Sequence, residues 1–309
     1  MNNDNNIKVA VLTGGISSER EISLQSGSTI AEALKEAGAE VVLFDVAPDR
    51  LSILDDESID VFFPALHGEF GEDGKLQEIL ESRKLCYTGS GPAASRCAMD
   101  KLACKEIIAN QTDVAVAWHT AVKGSDDAEA IIQRLSEAGE KFAVKPISHG
   151  SSIGVEITEG KKATAEAAIK TFAEFGECMI EEFIEGREIT SGVVDGKALP
   201  IIEIRSKTGF YDYHAKYVDD ATEYLFDTID DSGLVERIGK MAIECFNATG
   251  CRHWGRVDFI LSKENVPYFL EINTLPGFTS HSLVPMAAAK AGMNRGELCM
   301  KIVEAAIRK

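Results

Sequence analysis

Two short segments towards the carboxyl end of the chain combine residue types that could hold a metal ion and an anion. They read Arg256-Val-Asp258 and Glu271-Ile-Asn273. In a strand, residues two apart point to the same face, so each pair would project from one side of the backbone. If the segments pair as a hairpin, two carboxylates, an amide and a guanidinium converge. Such oxygen ligands suit Mg²⁺, which commonly bridges nucleotide phosphates; the alternative is a hairpin whose polar side chains simply face solvent.

Two further positions could contact a nucleotide. Lys145 ends an apolar segment just before Gly150-Ser151-Ser152, and backbone N–H groups of a Gly/Ser loop can cradle an anion. A surface lysine beside an ordinary turn would have the same sequence. Glu181 and Glu182 end another apolar segment. They could receive an adenine amino group and ribose hydroxyls, or they could be solvated, and spacing alone leaves both readings open.

Nucleotide motifs of other classes are absent or weak. The chain has no GxxxxGK[ST] segment, which excludes a P-loop. Gly89-x-Gly91-x-x-Ala94, with Asp113 further on, fits the loose dinucleotide fingerprint. Pro92 makes the required tight loop awkward, so an ordinary strand-to-helix turn is favoured and a dinucleotide-dependent oxidoreductase remains the alternative.

Composition narrows the class of protein. The 309 residues include 32 Lys or Arg and 50 Asp or Glu, a net charge of −18, which argues against nucleic-acid partners and against docking on anionic membranes. The length suggests two or three domains.

No apolar run is long enough to span a membrane, and residues 1–6 lack the apolar stretch of a signal peptide. Seven scattered cysteines without a CxxC pair indicate reduced thiols, so we expect a cytoplasmic protein.

The first hundred residues alternate between strand and helix patterns, which predicts parallel βαβ units in a doubly wound sheet. Ligands gather at the carboxyl ends of such strands, here residues 13–15, 66–68 and 88–90. A possible capping box at Ser18 and Glu21 precedes the first helix. The predicted strands are 8–13, 41–44, 60–66 and 85–88, and the predicted helices are 22–37 and 75–82.

After residue 110 the patterns predict a compact α+β unit followed by two hairpins. The overall fold class is therefore α/β (α+β). The middle unit has strands 114–122, 142–146, 155–158 and 179–184 and helices 128–138 and 161–175. The last region has hairpins at 189–204 and 256–272, a helix at 235–248 and two closing helices.

Ten segments together resemble one family, the D-alanine–D-alanine ligases, which are ATP-grasp enzymes of peptidoglycan precursor synthesis. The resemblance implies an ATP-grasp fold with an N-terminal substrate domain (1–100), a central domain (101–187) and a C-terminal domain (188–309). The matching segments follow the family order over nearly the whole chain, at 14–23, 67–74, 87–90, 99–101, 144–146, 150–152, 181–188, 211–217, 255–258 and 271–283.

The resemblance also implies an ATP site between the last two domains. Two Mg²⁺ (or Mn²⁺) ions would be bound by Asp258, Glu271 and Asn273. The implied nucleotide contacts are Lys101 and Lys145 to phosphates, Ser151 in the small-residue loop, Glu181, Glu182 and the Ile184 backbone at the adenine, Glu188 at the ribose, and Lys216 on a mobile loop.

The implied substrates are two D-alanine molecules. Glu19 would hold the ammonium group of the first, and Tyr217, linked through Ser151 to Glu19, favours D-alanine as acceptor over D-lactate. A related ATP-grasp ligase with D-lactate or D-serine as acceptor is the alternative. A non-catalytic nucleotide-binding regulator is the alternative of another class, and the family suggests a homodimer. The other implied contacts are His67 near the first carboxylate, Ser282 and the Leu283 amide at the second, and Arg256 and the Gly277 amide at the oxyanion.

Overall fold

The structure is a computed structural model that describes residues 6–150, 152–205, 222–279 and 281–308. Three predicted site residues, Ser151, Lys216 and Tyr217, lie outside the described residues. Within these ranges no helix is long and apolar enough to cross a membrane.

The amino-terminal part forms a three-stranded parallel sheet, as the alternating pattern predicts. The strands are β1 (Lys8–Gly14), β2 (Glu40–Val46) and β3 (Val61–Pro64), in the order β2-β1-β3. Helices α1 (Arg20–Glu36) and α2 (Lys75–Ser82) complete the layer. The predicted strand at 85–88 is reduced to one parallel bridge between Phe62 and Tyr87.

The start of α1 differs from the predicted capping box. Glu19 occupies the N-cap position, and no side chain caps the helix. The hydroxyl of Ser17 instead donates to the carbonyl of His67, with 2.6 Å between the oxygens. The loop before α1 is therefore fixed to the segment that follows β3 as well as to the start of its own helix.

Two short helices follow, and one of them has no counterpart in the sequence analysis. Helices α3 (Pro92–Met99) and α4 (Lys101–Gln111) meet at Asp100, whose carboxylate accepts from the Ala103 N–H at 2.9 Å. An Asp at this position is a typical helix-start signal. The Gly89 loop is held by His253 and Arg252, which contact its N–H and carbonyl at 3.1 Å each, as in an ordinary turn.

The middle segment forms a four-stranded antiparallel sheet in the order β5-β8-β6-β7. Its elements are β5 (His119–Val122), α5 (Ala128–Arg134) with a 3₁₀ turn at Leu135–Glu137, β6 (Lys141–Lys145), β7 (Glu156–Glu159), α6 (Lys161–Phe175) and β8 (Cys178–Glu182). The prediction of one strand over 114–122 is wrong: residues Ala115–Val116 form β4 in another sheet. The chain crosses between two sheets here, and β propensity cannot distinguish one strand from two.

The largest sheet carries the predicted carboxylate hairpin. It contains β9 (Gly186–Val194), β10 (Lys197–Ala198), β11 (Ile202–Arg205), β12 (Glu223–Leu225), β13 (Trp254–Ser262) and β14 (Pro267–Asn273), and its path is β12-β11-β9-β13-β14-β4. Strands β13 and β14 are antiparallel, as predicted. Helix α7 (Ser232–Ala248) packs on this sheet, and α8 (Leu283–Lys290) and α9 (Arg295–Ile307) follow it.

One apolar core joins the first sheet to the carboxyl-terminal helices. The indole of Trp254 lies between the rings of Phe63 and Phe278, with centroid separations of 5.9 and 5.8 Å. Buried side chains of α1 and α9 belong to the same cluster. Packing of this kind fixes the start of β13 against strand β3 of the first sheet. All seven cysteines are free thiols, and five of them are buried.

Candidate functional site

Two cavities open side by side, and they share the side chains of Lys101 and Glu271. The first has a volume of about 140 Å³ and lies between the loops of the first sheet, the end of β14 and the start of α8. The second, about 340 Å³, is a cleft between the small and large sheets. The two cavities therefore meet at these two side chains.

The hairpin brings the four predicted polar side chains together. Arg256 lies opposite Asn273, and Asp258 lies opposite Glu271. The guanidinium of Arg256 binds both oxygens of Asp258, with the shortest N–O distance at 2.7 Å. Asp258 is only 2% exposed and also accepts from the Thr190 hydroxyl at 2.5 Å. The Lys101 ammonium lies 3.5 Å from Glu271, so cations already balance both carboxylates.

The donor chemistry of this group fits Mg²⁺. Asp258, Glu271 and Asn273 offer two carboxylates and an amide oxygen, which are the hard ligands that Mg²⁺ prefers. Among the residues in the described ranges, no three or more His, Cys, Asp or Glu side chains cluster as a metal site by themselves. Phosphate oxygens or water would therefore have to complete the coordination, as is usual for Mg²⁺ at a nucleotide.

Glu19 and His67 lie at the loops of the first sheet, on the wall of the smaller cavity. The close approach of Gly68 makes this possible, because a Cβ there would lie 3.2 Å from a Glu19 carboxylate oxygen. Gly68 also has a φ of +70°, which favours glycine. The His67 ring nitrogen Nε2 is 3.2 Å from the Ser26 hydroxyl. Burial lowers the pKa of His67 below its ordinary value of 6.5, and the charge of Glu19 opposes this shift.

Another part of the wall consists of the loop before α8 and the first residues of that helix. Ser282 is the N-cap of α8, and its hydroxyl accepts from the Thr279 N–H at 2.8 Å. The Leu283 N–H is at the first turn of the helix, where a carboxylate is favoured by free amides and the helix dipole. A Cβ at Gly277 would lie 2.9 Å from the Ser282 hydroxyl, so a larger residue there would displace this hydroxyl.

The larger cleft contains a buried group of charges. Glu181 on β8 is 4% exposed, and its carboxylate pairs with Lys145 through one oxygen and with Lys105 through the other. Burial alone would raise the pKa of Glu181, but the two lysines outweigh burial and lower it to about 2. The carboxylate is thus ionised, and it pairs with both lysines beside the cleft.

The structure brings together nearly all the described residues that the sequence predicts for the site. Asp258 does not line either cavity and is covered by Arg256. The smaller cavity is lined by Glu19, His67, Arg256, Asn273, Gly277, Ser282 and Leu283, the cleft by Lys145, Glu181, Glu182, Ile184 and Glu188, and both by Lys101 and Glu271.

Comparison with known proteins identifies the family of this chain. The family model described as "D-ala D-ala ligase C-terminus" matches residues 108–304, and "D-ala D-ala ligase N-terminus" matches residues 51–90. The chain belongs to the D-alanine–D-alanine ligase family. It is similar to the D-alanine–D-alanine ligase of Bordetella avium, with 41% identity over 96% of this chain and 93% of that protein.

The solved structures of this family share the whole fold. The D-alanine–D-alanine ligase of Bacillus anthracis has a TM-score of 0.85 and 34% identity, and the alignment covers 98% of both chains. A structure of the B. anthracis ligase complexed with ATP has a TM-score of 0.84 and 31% identity, again over 98% of both chains. The fold expected from the resemblance, ATP-grasp behind a parallel-sheet domain, is thereby confirmed.

Two charged residues of the site were not assigned a role from the sequence. Glu72 lines the smaller cavity and accepts from the Gly68 N–H at 2.6 Å. It lies within a family-matching segment, which was a signal that it belongs to the site. Lys105 lies fully buried on α4, and its spacing of four residues from Lys101 resembles that of an ordinary helix surface.

We expect Glu72→Gln to stabilise the protein at neutral pH. Burial and the nearby Glu19 raise the pKa of Glu72 to about 8. Between its ordinary value of 4.5 and about 8 the folded state binds this proton more tightly than the unfolded chain, so stability falls as pH rises through that window. Glutamine resembles the protonated acid and can still accept from Gly68.

The measurement is a pair of thermal melts at pH 4.5 and pH 7.5. Because Glu72 keeps some exposure to the cavity, the expected gain at pH 7.5 is about 1 kcal/mol, or about 2 °C in Tm. At pH 4.5 the variant and the parent should melt together. An equal shift at both values would show that the substitution acts through packing and not through the proton.

Proposed function

We propose that this protein joins two D-alanines to D-alanyl-D-alanine, with cleavage of ATP to ADP and phosphate, for peptidoglycan precursor synthesis. The observation that carries the proposal is the wall shared by the two cavities at Lys101 and Glu271. An acidic and amide-lined cavity for amino acids meets a lysine-lined cleft for a nucleotide there. Family membership and the full-length likeness to D-alanine–D-alanine ligases support the same activity.

In this proposal ATP occupies the larger cleft. Lys145 and Lys101 contact its phosphates, and Glu181 with Glu182 and the Ile184 backbone contact the adenine. Glu188 is assigned to the ribose. The low exposure of Glu181 and Lys145 supports these roles, because charges in a water-poor cleft act on a phosphate more strongly than surface charges do.

Asp258, Glu271 and Asn273 would hold two Mg²⁺ or Mn²⁺ ions. When bound, the ions neutralise phosphate charge and orient the γ-phosphate for transfer. Since Arg256 pairs with Asp258 and Lys101 pairs with Glu271, these two cations would have to adjust for the ions to bind.

The reaction needs no nucleophile from the protein. Glu19 binds the ammonium group of the first D-alanine, whose carboxylate attacks the γ-phosphate and releases ADP as an acyl phosphate forms. The amine of the second D-alanine attacks this carbonyl, loses a proton, and inorganic phosphate leaves. Arg256 and the Gly277 N–H stabilise the oxyanion, while Ser282 and the Leu283 N–H bind the second carboxylate. The enzyme contributes position and charge.

Ser151, Lys216 and Tyr217 complete the site in this proposal. They lie outside the described residues, so their roles come from the family resemblance alone. Lys216 would add a cation at the phosphates, and Tyr217 would reach Glu19 through Ser151 and favour an amine acceptor. Exclusion of water from the acyl phosphate is needed during the reaction, because such intermediates hydrolyse in water.

The test is to incubate the protein with ATP, Mg²⁺ and D-alanine and to measure ADP, phosphate and the dipeptide. A second reaction supplies D-alanine, D-lactate and D-serine together, and the products are identified by mass spectrometry. We expect D-alanyl-D-alanine to dominate. A predominant ester or D-alanyl-D-serine would instead support a related ligase with another acceptor.

The alternatives predict different results. A regulator would bind ATP but release no ADP with D-alanine. An oxidoreductase would turn over a reduced nicotinamide, which the hydrogen bonds that fill the Gly89 loop make unfavourable. The domain bounds 1–100, 101–187 and 188–309, the homodimer and the cytoplasmic location belong to the same proposal.

A further inference from the structure

Lys105 is a completely buried cation with no role in the proposed reaction. It lies on α4, its side chain is 0% exposed, and its ammonium donates to the carbonyl of Phe269 on β14 at 3.0 Å. It is also 2.5 Å from one carboxylate oxygen of Glu181. A buried lysine costs free energy unless it is paired. The contact with Glu181 provides that pairing, but it does not explain why a lysine occupies this position.

The arrangement of charges suggests a reason for a lysine at position 105. Glu181 accepts from Lys105 with one oxygen and contacts Lys145 with the other. Were Lys105 neutral, Glu181 and Lys145 would form a closed, neutral pair beside the cleft. A phosphate could then attract Lys145 only by leaving a buried carboxylate without a partner, which is costly. The second lysine removes that cost, because Glu181 keeps one cation when Lys145 turns away.

We propose that Lys105 is a positioning residue of the nucleotide site, which neutralises Glu181 so that Lys145 is available to the phosphates of the nucleotide. The proposal rests on the proposed function, because it takes the cleft to be the ATP site. It assigns Lys105 no contact with the ligand. It differs from a merely structural tie between α4 and β14, which would stabilise the fold without discriminating between ligands.

The experiment measures equilibrium binding of ATP, ADP and adenosine by calorimetry to the full chain and to Lys105→Met. Methionine has nearly the same length but cannot carry the charge. We expect the Kd for ATP and ADP to rise about tenfold or more, since Lys145 stays with Glu181. The Kd for adenosine, which has no phosphate, should change less than threefold. Equal losses for all three ligands, or none, would overturn the proposal.

Glu181→Gln provides the background that separates the two roles. With a neutral side chain at 181, Lys145 is no longer held by an anion, so Lys105 has nothing to neutralise. Adding Lys105→Met to Glu181→Gln should therefore change the Kd for ATP less than threefold. A structural tie would cost as much in this background as in the parent, and that result would reject the positioning role.

Two controls keep the outcome clear. Melting curves establish that each variant is folded, and if Lys105→Met is not, Lys105→Gln replaces it, because its amide can still donate to the Phe269 carbonyl without a charge. The parent protein must bind ATP more tightly than adenosine. If it does not, the nucleotide site itself is wrong, whereas a parent that binds normally beside an unaffected Lys105 variant rejects only the role of Lys105.

Discussion

Glu271→Gln should lower turnover with ATP, Mg²⁺ and D-alanine by about 10²–10³-fold while the protein remains folded. Glu271 is the carboxylate that faces both cavities, so a metal ion between nucleotide and amino acid would depend on its charge. Glutamine keeps the shape and one oxygen but is a much weaker ligand for Mg²⁺. The Mg²⁺ concentration that gives the half-maximal rate should rise as well.

The stability cost of this substitution should be small. The side chain of Glu271 is 29% exposed, and its contact with Lys101 is long, at 3.5 Å; partly exposed pairs of this kind contribute about 0–1 kcal/mol. Glu264→Gln, on the exposed turn of the same hairpin, is the matched control and should leave both activity and Tm unchanged. Glu271→Gln with activity within threefold of the parent would remove Glu271 from the metal site.

The carboxylate hairpin shows what the sequence could predict. Its two strands are largely apolar, so the polar residues at alternate positions had to share a face, and pairing then placed Asp258 opposite Glu271. Helix α6 was likewise predicted with its observed bounds, Lys161–Phe175. In both cases the local pattern is strong, and its interpretation needs no knowledge of what lies across from the element.

The sequence was insufficient to predict features that depend on contacts between distant parts of the chain. Residues 114–122 contain several β-branched residues and match a strand pattern, yet they belong to two sheets, because the chain passes from the large sheet to the small one at Ala117 and Trp118. Lys105 shows the same limit for a side chain. Nothing in its neighbours predicts full burial, which follows from the packing of α4 against β14 and β8.

The spacing of Arg256 and Asp258 could not predict that their side chains contact each other. Residues two apart in a strand share a face, but whether they contact each other or separate ligands depends on what else occupies that face. Here the Thr190 hydroxyl and the guanidinium together satisfy a carboxylate that has almost no access to water.

Arg256→Met should reduce kcat by about 10²–10³-fold, because it removes the cation assigned to the oxyanion. It should also destabilise the protein without ligand by about 3–5 kcal/mol, since a buried carboxylate loses its partner. Asp258 is the group affected, being 2% exposed. Arg256→Lys keeps the charge but cannot bind both oxygens, so it should recover stability more than activity.

Mg²⁺ separates the two roles of Arg256. If Asp258 is a metal ligand, Mg²⁺ with ADP should raise the Tm of Arg256→Met more than that of the parent, because the ion replaces the missing cation at Asp258. Arg96→Met is the matched control: Arg96 forms an exposed pair with Glu78, 3.2 Å apart, and its loss should affect neither kcat nor the Mg²⁺ response. An equal Mg²⁺ shift in Arg256→Met and the parent would contradict a metal at Asp258, and a kcat within tenfold of the parent would remove Arg256 from the oxyanion.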